Sequence, residues 1–175
     1  IGIPAGILDT YADRFVYVDG ALNVENGIRI VPHSEPQRCL LRARQTHLYT
    51  RRNGRLSLDD FSHEQTVVFE EEDGLVCINS CSHAGIEQII EEVRQQYAGK
   101  RIKAFFGGFH LMGLLGAGTC GYSRKEVESL AQQLMKSSDA VFYSGHCTGT
   151  VAFAWMKEVM KDRLQPMAAG KTFEV

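Results

Sequence analysis

Hydrophobic positions recur along this chain in two rhythms, and the rhythm changes near Leu75. Before Leu75, apolar and β-branched residues gather in short runs parted by turn dipeptides. Phe15–Val18 and Ile28–Val31 are such runs, with Asp-Gly and Asn-Gly as the turn signals. From Arg38 to His63 no period is sustained, which predicts an irregular, charged excursion. "QTVVFEEEDGLVCINS" then predicts a hairpin, with its acidic Asp-Gly turn between two β-rich arms.

After Leu75 strands and helices alternate. Strand Leu75–Ile78 leads to a helix whose stripe is Ile86, Ile89, Ile90, Val93 and Tyr97. Strand Ile102–Phe106 leads, through a glycine-rich stretch, to a helix opened by a Ser123/Glu126 capping box. That helix carries Val127, Leu130, Ala131 and Leu134 on one face. Strand Ala140–Tyr143 leads to a helix with Ala152, Trp155, Met156 and Val159 inward, and "LQPMAAGKTFEV" predicts a turn and a closing strand. A βαβαβα series of this kind builds a parallel sheet with its strand ends on one edge, where α/β proteins place their sites.

The chemistry follows the same joints. After the first strand of the series comes "NSCSH", ending at His83; after the second "GGFH", ending at His110; after the third "SGH", ending at His146. Three of the six histidines therefore share one rim if the sheet is parallel. Imidazoles converging on a rim suit zinc or iron, or proton transfer, and Cys81 adds a soft ligand. "GHCTG" has the G-x-C-x-G form of a nucleophile elbow at Cys147, but no histidine follows His146 to serve as its base. "GGFHLMGLLGAG" lacks both phosphate-loop patterns and reads as a lid or tight loop over the rim. Cys39, Cys77 and Cys120 read as structural, and His33 and His47 as ordinary surface positions.

Composition narrows the class. The 175 residues are 44% hydrophobic and 23% charged with net charge −2, so one domain with a real core is expected and no basic surface points to nucleic acid. No apolar run approaches the roughly 20 residues that span a bilayer. Five cysteines without a C-x-x-C pair, and no leader-like stretch, favour a reducing, cytoplasmic setting. The chain opens "IGIPAGILDT" and its first methionine is Met112, so a longer polypeptide is expected.

The segments "DDFSHEQTVVFEEEDGLVCINSCSHAGI", "IKAFFGGFHL" and "VFYSGHCTG" together resemble the metallo-β-lactamase-fold hydrolases, in particular the subgroup related to dihydropterin ribofuranosylaminobenzene phosphate synthase. The resemblance runs from about Ile28 to Val175. It implies an αββα sandwich of two similar halves with metals at the strand ends, of which residues 1–175 form the C-terminal half as a single domain. It implies His83, His146 and Cys81 as metal ligands and His110 as a further ligand or proton donor. The cofactor implied is zinc, or iron or manganese, as two ions in the complete protein. The family's H-x-H-x-D-H motif is absent from the chain. The expectation is thus a metal-dependent hydrolase of an ester, phosphoester or related bond in a small-molecule substrate. It would be weakly active until a missing N-terminal half or a second chain is supplied. The alternative is a non-catalytic half-domain that binds a ligand or a partner chain.

Overall fold

The computed structural model describes residues 4–33 and 48–175. Its frame is a seven-stranded mixed sheet. The strands in it are β1 (Leu22–Glu25), β2 (Ile28–Pro32), β5 (Gln65–Glu71), β6 (Gly74–Ile78), β7 (Ile102–Phe106), β10 (Val141–Ser144) and β11 (Leu164–Pro166), and they stand in that order. The first four pair antiparallel, each joined to the next by a hairpin or a longer connection. From β6 onward every pairing is parallel. The crossovers contain α1 (Ile86–Gln96), α2 (Arg124–Ser137) and α3 (Thr150–Met160). Two small hairpins lie outside the sheet, β3 (Tyr49–Arg52) with β4 (Arg55–Leu58) and β8 (Met112–Gly113) with β9 (Gly116–Cys120).

The core lies on one face of the sheet. Val31, Val68, Leu75, Cys77, Phe105, Phe142 and Leu164 form one buried cluster with Ile86, Ile89, Ile90 and Val93 of α1, Val127, Leu130, Ala131 and Leu134 of α2, and Ala152, Met156 and Met160 of α3. Each buried Val, Leu, Ile, Phe or Met side chain adds about 1.5–3 kcal/mol by leaving water, which is why the apolar stripes, and not local propensity, fix where the helices dock. The Ser123/Glu126 capping box is formed on α2, with both reciprocal bonds present.

The opposite face is also apolar. Ile28, Phe69, Val76, Ala104 and Val141 are successive cross-strand partners, and Ile30, Val67, Ile78, Phe106 and Tyr143 form a second such row. Val76 and Ala104 of these rows are buried, yet they stand outside the cluster that α1, α2 and α3 form. Phe173 lies against Phe106 and Tyr143, and Ile78 remains 44% exposed.

Several expectations need correction. Phe15–Val18 is not a strand; Val16 and Tyr17 are both 78% exposed, and the Asn26-Gly27 turn instead pairs Leu22–Glu25 with β2. The excursion expected to be irregular contains the β3–β4 hairpin, closed at Asn53-Gly54 but flanked by arginines that hide its alternation. The glycine-rich stretch folds into β8–β9. The closing strand is Leu164–Pro166, and Lys171–Val175 adopts no regular structure. Trp155 and Val159 are only partly buried, and Met160 takes the inward place.

His33 is not a surface residue. It is 3% exposed, with Nδ1 2.6 Å from Glu92 Oε2 and Nε2 2.7 Å from Thr66 Oγ1. Cys39 and His47 lie outside the described residues.

Candidate metal centre at the strand ends

β6, β7 and β10 run parallel, so their carboxyl ends share one edge. The loops leaving them are latched together by backbone bonds. Asn79 N–H donates to Phe106 O, Gly107 N–H to Tyr143 O, Gly108 N–H to Ser80 O and Leu111 N–H to Cys147 O, at 2.9–3.0 Å. Two buried hydroxyls complete the latch: Ser144 Oγ donates to Gly107 O, and Thr148 Oγ1 accepts from Phe109 N–H. Close approach demands glycine here. A Cβ on Gly107 would stand 2.5 Å from Asn79 O, and one on Gly108 would collide with Cys147 Sγ.

The first loop has its own clamp. The buried carboxylate of Glu64 accepts from His83 N–H at 2.8 Å and from Ala84 N–H at 2.7 Å, just before α1 begins. Asn79 Oδ1 accepts from Ser82 N–H at 2.8 Å, while Asn79 Nδ2 donates to Thr66 Oγ1 and to Gln65 O. Thr66 is also the partner of His33, so the buried Glu92–His33 pair supports this loop from beneath.

On this platform Cys81, His146 and Cys147 converge. One ligand atom from each lies within 4.8 Å of the other two, and Cys81 Sγ is 3.8 Å from His146 Nδ1. Ligands on one zinc stand about 4 Å apart or less, so a small closure fits the triplet to an ion. His83 is not in the triplet. Its ring stacks on Phe61, with centroids 4.2 Å apart, and meets the His110 ring at 4.0 Å. His83 Nδ1 and both His110 ring nitrogens are buried with no hydrogen-bond partner among the described residues. Buried imidazole nitrogens ordinarily find partners. Nitrogens left open beside a thiol and a third imidazole are what a metal site requires.

The electrostatics agree with a thiolate. The neighbouring Cys147 thiol, then His110 and His83, hold the Cys81 thiol far below its ordinary range. The proton stays on Cys147, which is raised by the same partner and by burial. Backbone strain gathers at the same place. Phe61, Ser82, His110 and His146 all adopt positive φ, a conformation that non-glycine residues hold only where surroundings enforce it.

Of the residues expected from the sequence, Cys81 and His146 are brought together, and His83 and His110 adjoin them. Cys147, read as a small residue at a helix start, is part of the cluster. Glu64, Asn79 and Phe61 were not anticipated, because their contacts bridge the antiparallel and parallel halves of the sheet and leave no local pattern. Beside His110 opens a cavity of about 520 Å³ lined by Leu48, Met112, Leu114, Leu115 and Tyr122. A cleft of similar size lies at the opposite edge, where β7 and β10 begin, and carries no histidine or cysteine.

No family model matches the chain. Over 124 residues it is 29% identical to 7,8-dihydropterin-6-methyl-4-(β-D-ribofuranosyl)-aminobenzene-5'-phosphate synthase of Methanocaldococcus jannaschii, a match covering 71% of this chain and 40% of the relative. Its fold is similar to the crystal structure of a metal-dependent hydrolase of the β-lactamase superfamily, with a TM-score of 0.72 and 25% identity over 93% of this chain and 58% of the other. The chain thus spans less than two thirds of the length of each of these two proteins. It is a metallo-β-lactamase-fold protein. Within that fold its sequence is similar to that of the dihydropterin ribofuranosylaminobenzene phosphate synthase.

Proposed function

We propose that the chain carries part of the catalytic centre of a metal-dependent hydrolase acting on an ester, phosphoester or related bond of a small molecule. The observation behind this reading is the cluster of a partly exposed cysteine and three imidazoles at adjacent strand ends, with His83 Nδ1 and both His110 nitrogens lacking partners among the described residues. Cys81 and His146, with His83 beside them, would hold the ion, and soft sulfur and imidazole donors suit zinc or iron, with manganese the third option from the family resemblance. A bound ion of this kind lowers the pKa of a water towards ~7 and polarises the bond to be cleaved. A second ion would need ligands from beyond these residues. His110 lines the 520 Å³ cavity, and its role is to pass a proton to the departing group. The cavity's Leu48, Met112 and Leu115 receive the apolar part of the substrate.

The Methanocaldococcus jannaschii relative is named a synthase, which favours a second reading in which the same centre serves a synthase reaction. A panel of esters and phosphodiesters, assayed with and without added zinc and manganese, tests the first reading. Zinc-dependent turnover that falls in His110→Ala through kcat supports it. Zinc binding without turnover on any member of the panel leaves the synthase or the purely binding alternative.

The apolar rows on the sheet face away from the helix-packed cluster extend the proposal to a partner. We infer that a second sheet layer packs there, contributed by further residues of the same polypeptide or by another chain. The support is the continuous row Ile30, Val67, Ile78, Phe106 and Tyr143 together with the larger size of the matched hydrolase.

A further inference from the structure

Cys147 is one corner of the Cys81–His146–Cys147 triplet but is not among the ligands proposed above, and its position is closely defined. Its sulfur occupies the space left by the missing side chain of Gly108 and lies 3.7 Å from Cys81 O. The two sulfurs are within 4.8 Å of each other, with both thiols free. Cys81 is partly exposed, whereas Cys147 is 2% exposed. This asymmetry defines an attacking and a resolving thiol. An oxidant in solution meets Cys81 first, and Cys147 waits behind it. A disulfide requires the two sulfurs to close from this separation to ~2.05 Å.

We propose that Cys81 and Cys147 form a reversible oxidative modification site for a peroxide. In the first step the Cys81 sulfur attacks one peroxide oxygen. The O–O bond breaks, a sulfenic acid forms on Cys81, and hydroxide leaves when the oxidant is hydrogen peroxide. In the second step the Cys147 sulfur attacks the Cys81 sulfur, the S–O bond breaks, and water departs with the proton of Cys147. The sum is two thiols and hydrogen peroxide giving one disulfide and two waters. A thiol reductant reverses it by exchange. The disulfide removes Cys81 from the ligand set, so oxidation and metal binding exclude each other.

The test uses hydrogen peroxide on the purified, metal-free protein, followed by alkylation under denaturing conditions and peptide mapping. The expected product is a Cys81–Cys147 cross-linked peptide pair, two hydrogens lighter than the reduced pair and restored by dithiothreitol. Fragmentation separates Cys81 from Cys77, which shares its tryptic peptide. In Cys147→Ser, Cys81 proceeds to sulfinic acid instead. Cys81 over-oxidised in the unsubstituted protein while Cys147 is still alkylated, Cys81 left unmodified, or a disulfide to any other cysteine overturns the proposal. The map reads bond formation and not metal content, so it fails or succeeds apart from the metal proposal.

Discussion

Glu64 shows how a single side chain sets the geometry of the centre. Its carboxylate holds two consecutive N–H groups, one of them that of His83, from 19 residues away. Charge-assisted bonds of this kind contribute about 1.5–3 kcal/mol each. Glu64→Ala is therefore expected to lower unfolding free energy by about 3 kcal/mol in urea titrations, and to weaken metal affinity although Glu64 is not a ligand. A loss under 0.5 kcal/mol would show that the loop holds itself. The same contact explains what the sequence concealed. His83, His110 and His146 were legible because the same residue type recurs at three equivalent joints. Glu64 was not, since a buried acid in "SHEQ" looks like any solvated acid until β5 is folded against β6. His33 misled in the same way: only packing against α1 supplies the Glu92 partner that buries it.

Elements were legible where apolar periodicity was strong. The three helices, the capping box and most of the inward stripes follow from spacing alone, because burial of those stripes is what places the helices; Tyr97, Trp155 and Val159 are the exceptions, being only partly buried. Hairpins β3–β4 and β8–β9 were missed because arginine and glycine flank their turns, leaving no apolar alternation. β8–β9 nevertheless matters, for its tip residues Leu114 and Leu115 are 73% and 90% exposed beside the His110 cavity. Between elements, the latch at Gly108 is the most sensitive joint. Gly108→Ala places a Cβ against Cys147 Sγ and 3.3 Å from Ser80 O. It is expected to cost about 2 kcal/mol and to reduce alkylation protection of Cys147, measured by mass spectrometry in native buffer. A neutral effect on both would mean the three loops are not packed as tightly as described. Ser123→Ala, by contrast, should cost only about 1 kcal/mol, with no effect on the rim.

At the scale of the molecule, the strand order from β6 through β11 follows chain order, which is why the parallel half could be read from the alternation of elements. The antiparallel half was less legible, as its first strand is set by a turn and not by its own apolar run. What periodicity could not reveal is that the second sheet face carries apolar rows outside the helix-packed cluster, with Ile78 44% exposed. Ile78 lies on that face, while Phe142 lies on the helix-covered face at 0% exposed. Ile78→Lys should change the stability of the chain by less than about 1 kcal/mol, whereas Phe142→Ala should cost about 3–5 kcal/mol. In sedimentation runs Ile78→Lys should also abolish association through its face of the sheet. Equal destabilisation by both substitutions would mean the face is already covered. No described helix is long and apolar enough to cross a membrane.

The central claim is that Cys81 and His146, with His83 beside them, form a metal centre on the rim. Cobalt(II) titration of the purified protein, followed by near-ultraviolet thiolate-to-cobalt charge-transfer absorption, tests it most directly, since the band reports a sulfur–metal bond and not mere association. The account predicts a saturable band that disappears in Cys81→Ser, weakens at least tenfold in apparent affinity in His146→Ala, and is displaced by zinc. A protein that binds no cobalt at saturating concentration, or one whose spectrum is the same in Cys81→Ser, would contradict it.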